Sequence, residues 1–292
     1  MFTGVSRSAA ATAIADGLVL LDSVAVKKVS QRVATGQLLS VDDSILDEPD
    51  ELEPDPSVEL DIAYSDEHVI VLRKLAGQVV HPGAGNTTGT IIQGLLAKFP
   101  EIRDIGQPNR PGVVHRLDKG TSGVFSVARS LVGYDSLTAQ LFDRTVSRRY
   151  LTLAWGHPKT PRGVIEAPIG RAVRDPTRMV VREDGKAART SYTVLATWAE
   201  PTISLFSCAL DTGRTHQIRV HMQAIHHPIV GDVRYGAGRD TLGMERPALH
   251  AAELGFEHPE SGEWLEFSAP LPSDMRTVIT SFGRPETGEV PE

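Results

Sequence analysis

Hydrophobic and polar positions alternate along this chain in short, readable runs. Ile91, Ile92, Leu95, Leu96 and Phe99 recur at helical spacing and predict a helix, with Thr88 or Thr90 as its N-cap. Leu137, Leu141 and Phe142 predict a second helix. Beyond it, Leu151, Leu153 and Trp155 alternate with Tyr150, Thr152 and Ala154, the period of two that marks a strand. His68 to Arg73 and Gly112 to Leu117 read as short buried strands, and Gly123 to Ala128 as a less regular one. Thr190 to Thr197 and Thr202 to Leu210 read as long strands. Strands dominate the later chain without a βαβα rhythm. The expected fold class is therefore α+β, a mixed and largely antiparallel sheet flanked by helices.

Three zones follow from composition. Residues 1–42 form a small basic-polar unit. Residues 43–57 are acidic and rich in proline, and such a segment reads as an extended linker because it repels itself and has little apolar surface to bury. Residues 58–292 read as one long domain. Of the 292 residues 40% are hydrophobic and 23% charged, which fits a folded protein. The stretch Ala9 to Val26 is interrupted by Asp16 and Asp22, so neither a signal peptide nor a membrane span is expected. The single cysteine, Cys208, sits in an apolar run and is expected in the core; it cannot form an internal disulfide or a cysteine-based zinc site. These features point to the cytoplasm.

The net charge of −7 speaks at first against a nucleic-acid partner. However, twelve of the 37 acidic residues fall between Asp42 and Glu67, where there is no Lys or Arg. The remainder carries 30 basic against 25 acidic residues, a net of +5, and the local field is what phosphates meet.

Three segments carry candidate chemistry. From Arg110 to Gly123 a strand runs into a turn rich in glycine and hydroxyl side chains that opens with Asp118. This either lifts a carboxylate into a cleft or is a capped turn. From Asp211 to Met222, Asp-Thr-Gly reads as a turn, Thr215 as an N-cap, and the rest as a helix whose inward face holds Ile218, Met222 and Ile225. Arg219 lies beside that face, where a charge needs a partner, so a structural ion pair is the plain alternative. Third, Arg148 and Arg149 precede Tyr150, which suits phosphates and base stacking or else a solvated strand edge. Between Arg162 and Arg189 seven basic residues face four acids, a phosphate-contacting surface or a charged hairpin.

Together these segments resemble the RluA-type pseudouridine synthases. The resemblance rests on His115-Arg116-Leu117-Asp118-Lys119-Gly120-Thr121-Ser122-Gly123, the basic-Tyr150 strand, and Thr212-Gly213-Arg214-Thr215-His216-Gln217-Ile218-Arg219-Val220-His221. It extends to His81-Pro82-Gly83, to His227 through Asp232, and to Leu249-His250-Ala251, and so spans the large domain. It implies a pseudouridine synthase fold and a catalytic domain over 58–292. Lys74-Leu75-Ala76-Gly77 departs from the family's Lys-Pro-x-Gly, which is expected to loosen one turn. Residues 5 to 41 resemble an S4 RNA-binding module through Ser6-Arg7-Ser8, the Ile14 to Val19 stretch, and Gly36 to Val41. Such a module begins with a helix before Ser-Arg-Ser, and only Met1 to Val5 precede it here, so that helix is expected to be missing.

The resemblance implies that Asp118 is the nucleophile, that Arg219 pairs with it, and that Tyr150 packs on the target base and helps proton transfer at C5. Ile218 is an apolar wall, and Arg116 fills the gap left by a flipped nucleotide. Lys119, Thr121, Arg214 and His216 are expected to bind substrate, and Arg7, Arg148 and Arg149 to touch RNA. No metal and no other cofactor is expected. The implied partner is RNA, large-subunit ribosomal RNA in particular, with no membrane. Two other classes compete: a non-catalytic RNA-binding or ribosome-assembly protein, and a metal-dependent hydrolase or deaminase. Against the first stand Asp118, Arg219 and Tyr150 together. Against the second, no Cys-x-x-Cys, His-x-Glu or His-Glu-x-x-His is expected, and His216 and His221 are about 140° apart on a helix.

Overall fold

The computed structural model describes residues 7–42, 52–83 and 85–291. They form two compact units that divide between Leu52 and Glu53. Ser6 and residues 43–51 of the acidic stretch lie outside the described residues, as do the side chains of Arg7 and Ser8. No described helix is long and apolar enough to cross a membrane.

In the smaller unit, α1 (Arg7–Ala15) precedes β1 (Val19–Leu21), β2 (Val24–Ala25) and β3 (Leu39–Val41). β1 pairs antiparallel with both other strands. Ala13, Val19, Leu21 and Val26 make its core. So short a chain buries little, and Val24, Val29, Val33 and Leu38 stay exposed.

The larger unit runs β4 (Ile62–Ser65), β5 (Val69–Lys74), α2 (Ile91–Lys98), β6 (Gly106–Gln107), β7 (Arg110–Pro111), β8 (Ser122–Ala128), α3 (Leu131–Asp143) and β9 (Ser147–Trp155). It continues with β10 (Arg162–Glu166), β11 (Ile169–Arg171), β12 (Met179–Val181), β13 (Arg189–Trp198), β14 (Ile203–Leu210) and α4 (Gln217–Ala224). Then come β15 (Leu249–Glu257), β16 (Trp264–Ser268), α5 (Ser273–Ser281) and β17 (Thr287–Gly288). Ten strands form one sheet in the order β10-β13-β14-β9-β15-β8-β5-β4, with β16 on β15 and β17 on β13. Among the described residues only β8 and β15 of this sheet pair parallel, so it is mixed and largely antiparallel. Val69 to Leu72 of β5 are buried on both faces, as the unbroken apolar run requires. Cys208 is fully buried in β14, and burial pushes its thiol up to about 12.

Thr90 caps α2: Gln93 reaches back to accept from its N–H at 3.1 Å and its hydroxyl at 3.0 Å. The Asp55 N–H donates to the Gln93 carbonyl at 2.9 Å, so the chain already packs on this unit there.

The structure differs from the sequence reading at two places. Gly112 to Leu117 is not a strand. Gly112 takes φ +69 with the Ala128 carbonyl oxygen 2.4 Å from where a Cβ would sit, and the chain turns there. The His115 ring then supplies what a neighbouring strand would have: its Nε2 accepts from the Ser126 N–H of β8 at 3.0 Å. Thr215 is not the cap of α4. His216 occupies that position with φ +57. The helix expected from Leu137, Leu141 and Phe142 is present as α3, with Leu137 buried and Phe142 85% exposed.

Candidate active site

Asp118 stands in the turn that leads into a close approach of β8 and β15. Gly123, the second residue of β8, has φ +116, and a Cβ there would lie 2.1 Å from the Ala251 carbonyl oxygen. Only glycine lets β8 and β15 approach so closely. His250 then locks the pair: its Nε2–H donates to the Ala269 carbonyl at 3.1 Å, and its Nδ1 accepts from the Ser122 hydroxyl at 2.9 Å. The turn before β8 is tied by Thr121 N–H to the Asp118 carbonyl at 3.0 Å. Lys74, 2% exposed, donates from Nζ to the carbonyls of Leu75, Gln78 and Lys119 at 2.9, 2.8 and 3.1 Å. Desolvation pushes its ammonium down to about 7, with Asp118 pulling it back up.

On the facing side, α4 is held to its preceding loop by Gln217. Its Oε1 accepts from the Thr212 hydroxyl at 2.8 Å and the Arg214 N–H at 3.0 Å. Its Nε2 donates to the Arg189 carbonyl and the Thr190 hydroxyl at 3.0 Å each. This presents Arg219, whose Nη1 donates to Asp118 Oδ2 at 3.2 Å. Arg219 is itself gripped by the buried Asp232, Nε to Oδ2 at 2.7 Å and Nη2 to Oδ1 at 3.0 Å. Such a two-pronged pair fixes the plane of the guanidinium. Its face lies 4.9 Å from the ring centre of Tyr235. Burial opposes its charge, but the two aspartates outweigh that and raise its pKa.

Tyr235 is fully buried, and its hydroxyl completes a chain. It accepts from the Met179 N–H at 3.0 Å and lies 2.9 Å from His216 Nδ1. A buried hydroxyl proton needs an acceptor, and among the described residues Nδ1 is the one within reach. His216 therefore carries its proton on Nε2, 3.9 Å from Asp118 Oδ2. Desolvation lowers the His216 pKa, Asp118 opposes this, and Arg219 and Arg234 add to it. The ring is thus a neutral donor facing the carboxylate. Oδ2 has Arg219 and His216 beside it, while Oδ1 has no hydrogen-bond partner among the described residues.

The site opens into a cleft of about 790 Å³. Asp118, Arg116, Thr121, Arg148, Tyr150, Arg214, His216 and Ile218 all line it. Tyr150 is 7% exposed on β9, and desolvation raises its pKa, so it stays a phenol. Arg116 Nη1 donates to His81 Nε2 at 2.9 Å, while His81 Nδ1 donates to the Pro82 carbonyl at 2.8 Å. Arg148 is 7% exposed; Nη2 donates to the Leu210 carbonyl at 3.2 Å, and Nε has no partner among the described residues.

Two residues expected at the site sit elsewhere. Arg149 faces away and pairs with Glu253 at 2.8 Å, and Lys119 Nζ donates to Asn86 Oδ1 at 3.0 Å, neither lining the cleft. Arg7 opens α1 in the smaller unit. Conversely, Lys74, His81, Asp232 and Tyr235 had no role in the sequence reading, although the first three lie in segments it singled out. The expectation that His-x-Glu is absent is wrong: His258-Pro259-Glu260 is such a triplet, but its ring donates to Asp66 at 2.9 Å outside the cleft. Among the described residues no three His, Cys, Asp or Glu side chains gather as a metal site would need.

A family model described as RNA pseudouridylate synthase matches residues 68–224. An RNA pseudouridine synthase of Bacillus subtilis (strain 168) is 42% identical over 279 residues, 95% of this chain and 89% of that one. A Xanthomonas campestris pv. campestris protein named ribosomal large subunit pseudouridine synthase D is 44% identical over 237 residues, 77% of this chain and 70% of that one. Among solved structures, human RNA pseudouridylate synthase domain containing 1 superposes with a TM-score of 0.59 at 27% identity, covering 84% of this chain and 100% of that one.

Proposed function

The chain belongs to the RNA pseudouridylate synthase family and is an isomerase that acts on RNA, and from that premise we propose that Asp118 carries the reaction, on a uridine flipped out of structured large-subunit ribosomal RNA. The observation that carries this reading is the asymmetry of the Asp118 carboxylate. Oδ2 is held by Arg219, and Oδ1 is left without a partner on the wall of a cleft. An anchored carboxylate with one free oxygen is a pre-aimed nucleophile.

The reaction breaks the bond between uracil N1 and the ribose, turns the base, and joins its C5 to the same ribose carbon. The proton leaves C5 and N1 gains one, so atoms and charge balance without an external reactant. Attack by Oδ1 at uracil C6 or at the ribose carbon both suit this arrangement. In either case Oδ2 becomes an ester carbonyl oxygen still facing Arg219 and the His216 N–H. Tyr150, kept neutral by burial, packs on the base and presents a hydroxyl toward C5. Ile218 closes the apolar side. Arg116, aimed by His81, is placed to occupy the stack that the uridine leaves, and leaving it costs roughly a few kcal/mol.

Large-subunit RNA as the substrate rests on the relatives named for it. The smaller unit is read as an S4-like RNA-binding module joined by an acidic linker to the catalytic domain, in a cytoplasmic enzyme. Asp118→Asn, nearly isosteric, should fold and bind RNA but form no product in a single-turnover assay on large-subunit RNA. Product formation at the wild-type rate would end this reading.

A further inference from the structure

We propose that the α3 wall of the cleft is a binding subsite for an unpaired nucleotide beside the target uridine, its base stacked on Phe142 and its phosphate held by Arg144 and Arg110. The proposal takes from the preceding section only that RNA is the ligand.

Three independent features point there. Phe142, on the last turn of α3, is 85% exposed and lines the same cleft as Asp118. An aromatic ring in that position has no packing role in the fold. Next, α3 ends on Arg144 in the left-handed region, φ +63 and ψ +29. Glycine is the usual residue at such a helix end because a side chain is strained there. The strain is carried by a residue whose guanidinium makes no hydrogen bond or ion pair among the described residues and lines the cleft. Finally, the cleft is basic in an acidic chain. Arg110, Arg116, Arg144, Arg148 and Arg214 line it against Asp118 and Asp211, and none of the five has a carboxylate within 4 Å among the described residues. Arg148 makes the point most sharply, since it is buried with its Nε unpaired.

Cations without anions beside an exposed ring are what a nucleotide completes. The phosphate supplies the missing charge, and the base covers the ring. Stacking of this kind tolerates any base, so the subsite sets the register of the RNA rather than its sequence. An acidic protein segment would satisfy the arginines but has no flat face for Phe142.

The test uses the full chain and a stem-loop RNA that the wild-type enzyme modifies, with 2-aminopurine placed in turn on either side of the modified uridine. Phe142→Ala should weaken RNA binding about tenfold and abolish the stacking quench on one flank, with unchanged thermal unfolding. Phe142→Trp should keep both, and Phe142→Leu should resemble alanine. Arg144→Gly should melt no lower than wild type, because glycine fits the left-handed turn. It should nevertheless bind RNA more weakly, with a salt dependence shallower by about 0.7 to 0.9 in log–log slope. Wild-type affinity and quenching in Phe142→Ala, or full activity of leucine as a substitute, would overturn the stacking site. An unchanged salt slope in Arg144→Gly would overturn the phosphate contact. RNA binding indifferent to every variant would assign this wall to a protein partner instead. Activity in Asp118→Asn would sink the catalytic reading and leave these binding results standing.

Discussion

Around Asp118 the charged groups that hold and orient it already have protein partners. Arg219 lies between Asp118 and Asp232, His216 between Asp118 and Tyr235, and Lys74 among three carbonyls. At the α3 wall, Arg110 and Arg144 have none among the described residues, and Phe142 stands in solvent. The contrast separates two tasks. Groups that must be aimed during bond making are fixed by folding, so no reorganisation is left for the reaction. Groups that meet the RNA are left open, so that the RNA supplies their partners. Substitutions at the first wall should therefore change the rate, and at the second the affinity.

The sharpest way to break that division is at Arg219. Arg219→Lys keeps the charge and loses the planar fork onto Asp232. Asp232→Asn keeps the shape and loses the charge that anchors the fork. Each should lower the single-turnover rate by about 10² to 10³, the scale for removing one aimed donor, and Arg219→Ala should lower it more. RNA affinity should stay within a few-fold. Affinity losses as large as the rate losses would erase the distinction between the walls.

A smaller effect is expected at Tyr235. Tyr235→Phe leaves the ring under Arg219 and removes only the hydroxyl proton given to His216 Nδ1. The rate should fall about tenfold, an order of magnitude in keeping with one hydrogen bond. With nothing donating to Nδ1, protonation there becomes easier, so the loss should deepen as pH falls, despite the opposing charges of Arg219 and Arg234 and with the help of Asp118 and Asp232. Nitrogen NMR of the imidazole should show the Nε2–H form in the wild type. A wild-type His216 carrying its proton on Nδ1 would remove the basis for this chain.

What the sequence made legible follows the range of each interaction. The helix at Ile91–Lys98 and its Thr90 cap are written within four residues, and β9, β13 and β14 in local alternation. Asp118 and Arg219 lie 101 residues apart, and only the two motifs around them suggested the contact. Gly112 to Leu117 has the apolar pattern of a strand, but its edge bond comes from the His115 ring, which no periodicity encodes. Phe142 sits at a spacing that fits an inward helical face, yet the helix is ending there and the ring falls on the cleft side. Asp232 and Tyr235 act through residues 13 and 19 positions away in a loop, where spacing carries no signal.

The smallest expected effect concerns Lys74, and it separates activity from stability by sign. Burial holds its pKa at about 7, against 10.5 for a free lysine, although three carbonyls use all three N–H donors of the charged form. As pH rises through 7 the native protein loses that proton and one donor, and the Lys119 carbonyl in the turn after Asp118 is less firmly tied. The rate should fall by a factor of about two to three, the range expected when one of several hydrogen bonds weakens. Stability must move the other way. Between pH 7 and 10.5 the unfolded chain binds a proton that the native one does not, so unfolding becomes harder as pH rises. Lys74→Met removes both dependences at once. The measurement is single-turnover rate and thermal unfolding from pH 6 to 10 in wild type and variant. Relative to Lys74→Met, the wild type should lose rate and gain stability over that window. Lys74 does not line the cleft, so RNA affinity should barely follow either curve. A wild type whose stability falls with the rate would mean that the buried ammonium holds the fold together rather than the aim of Asp118.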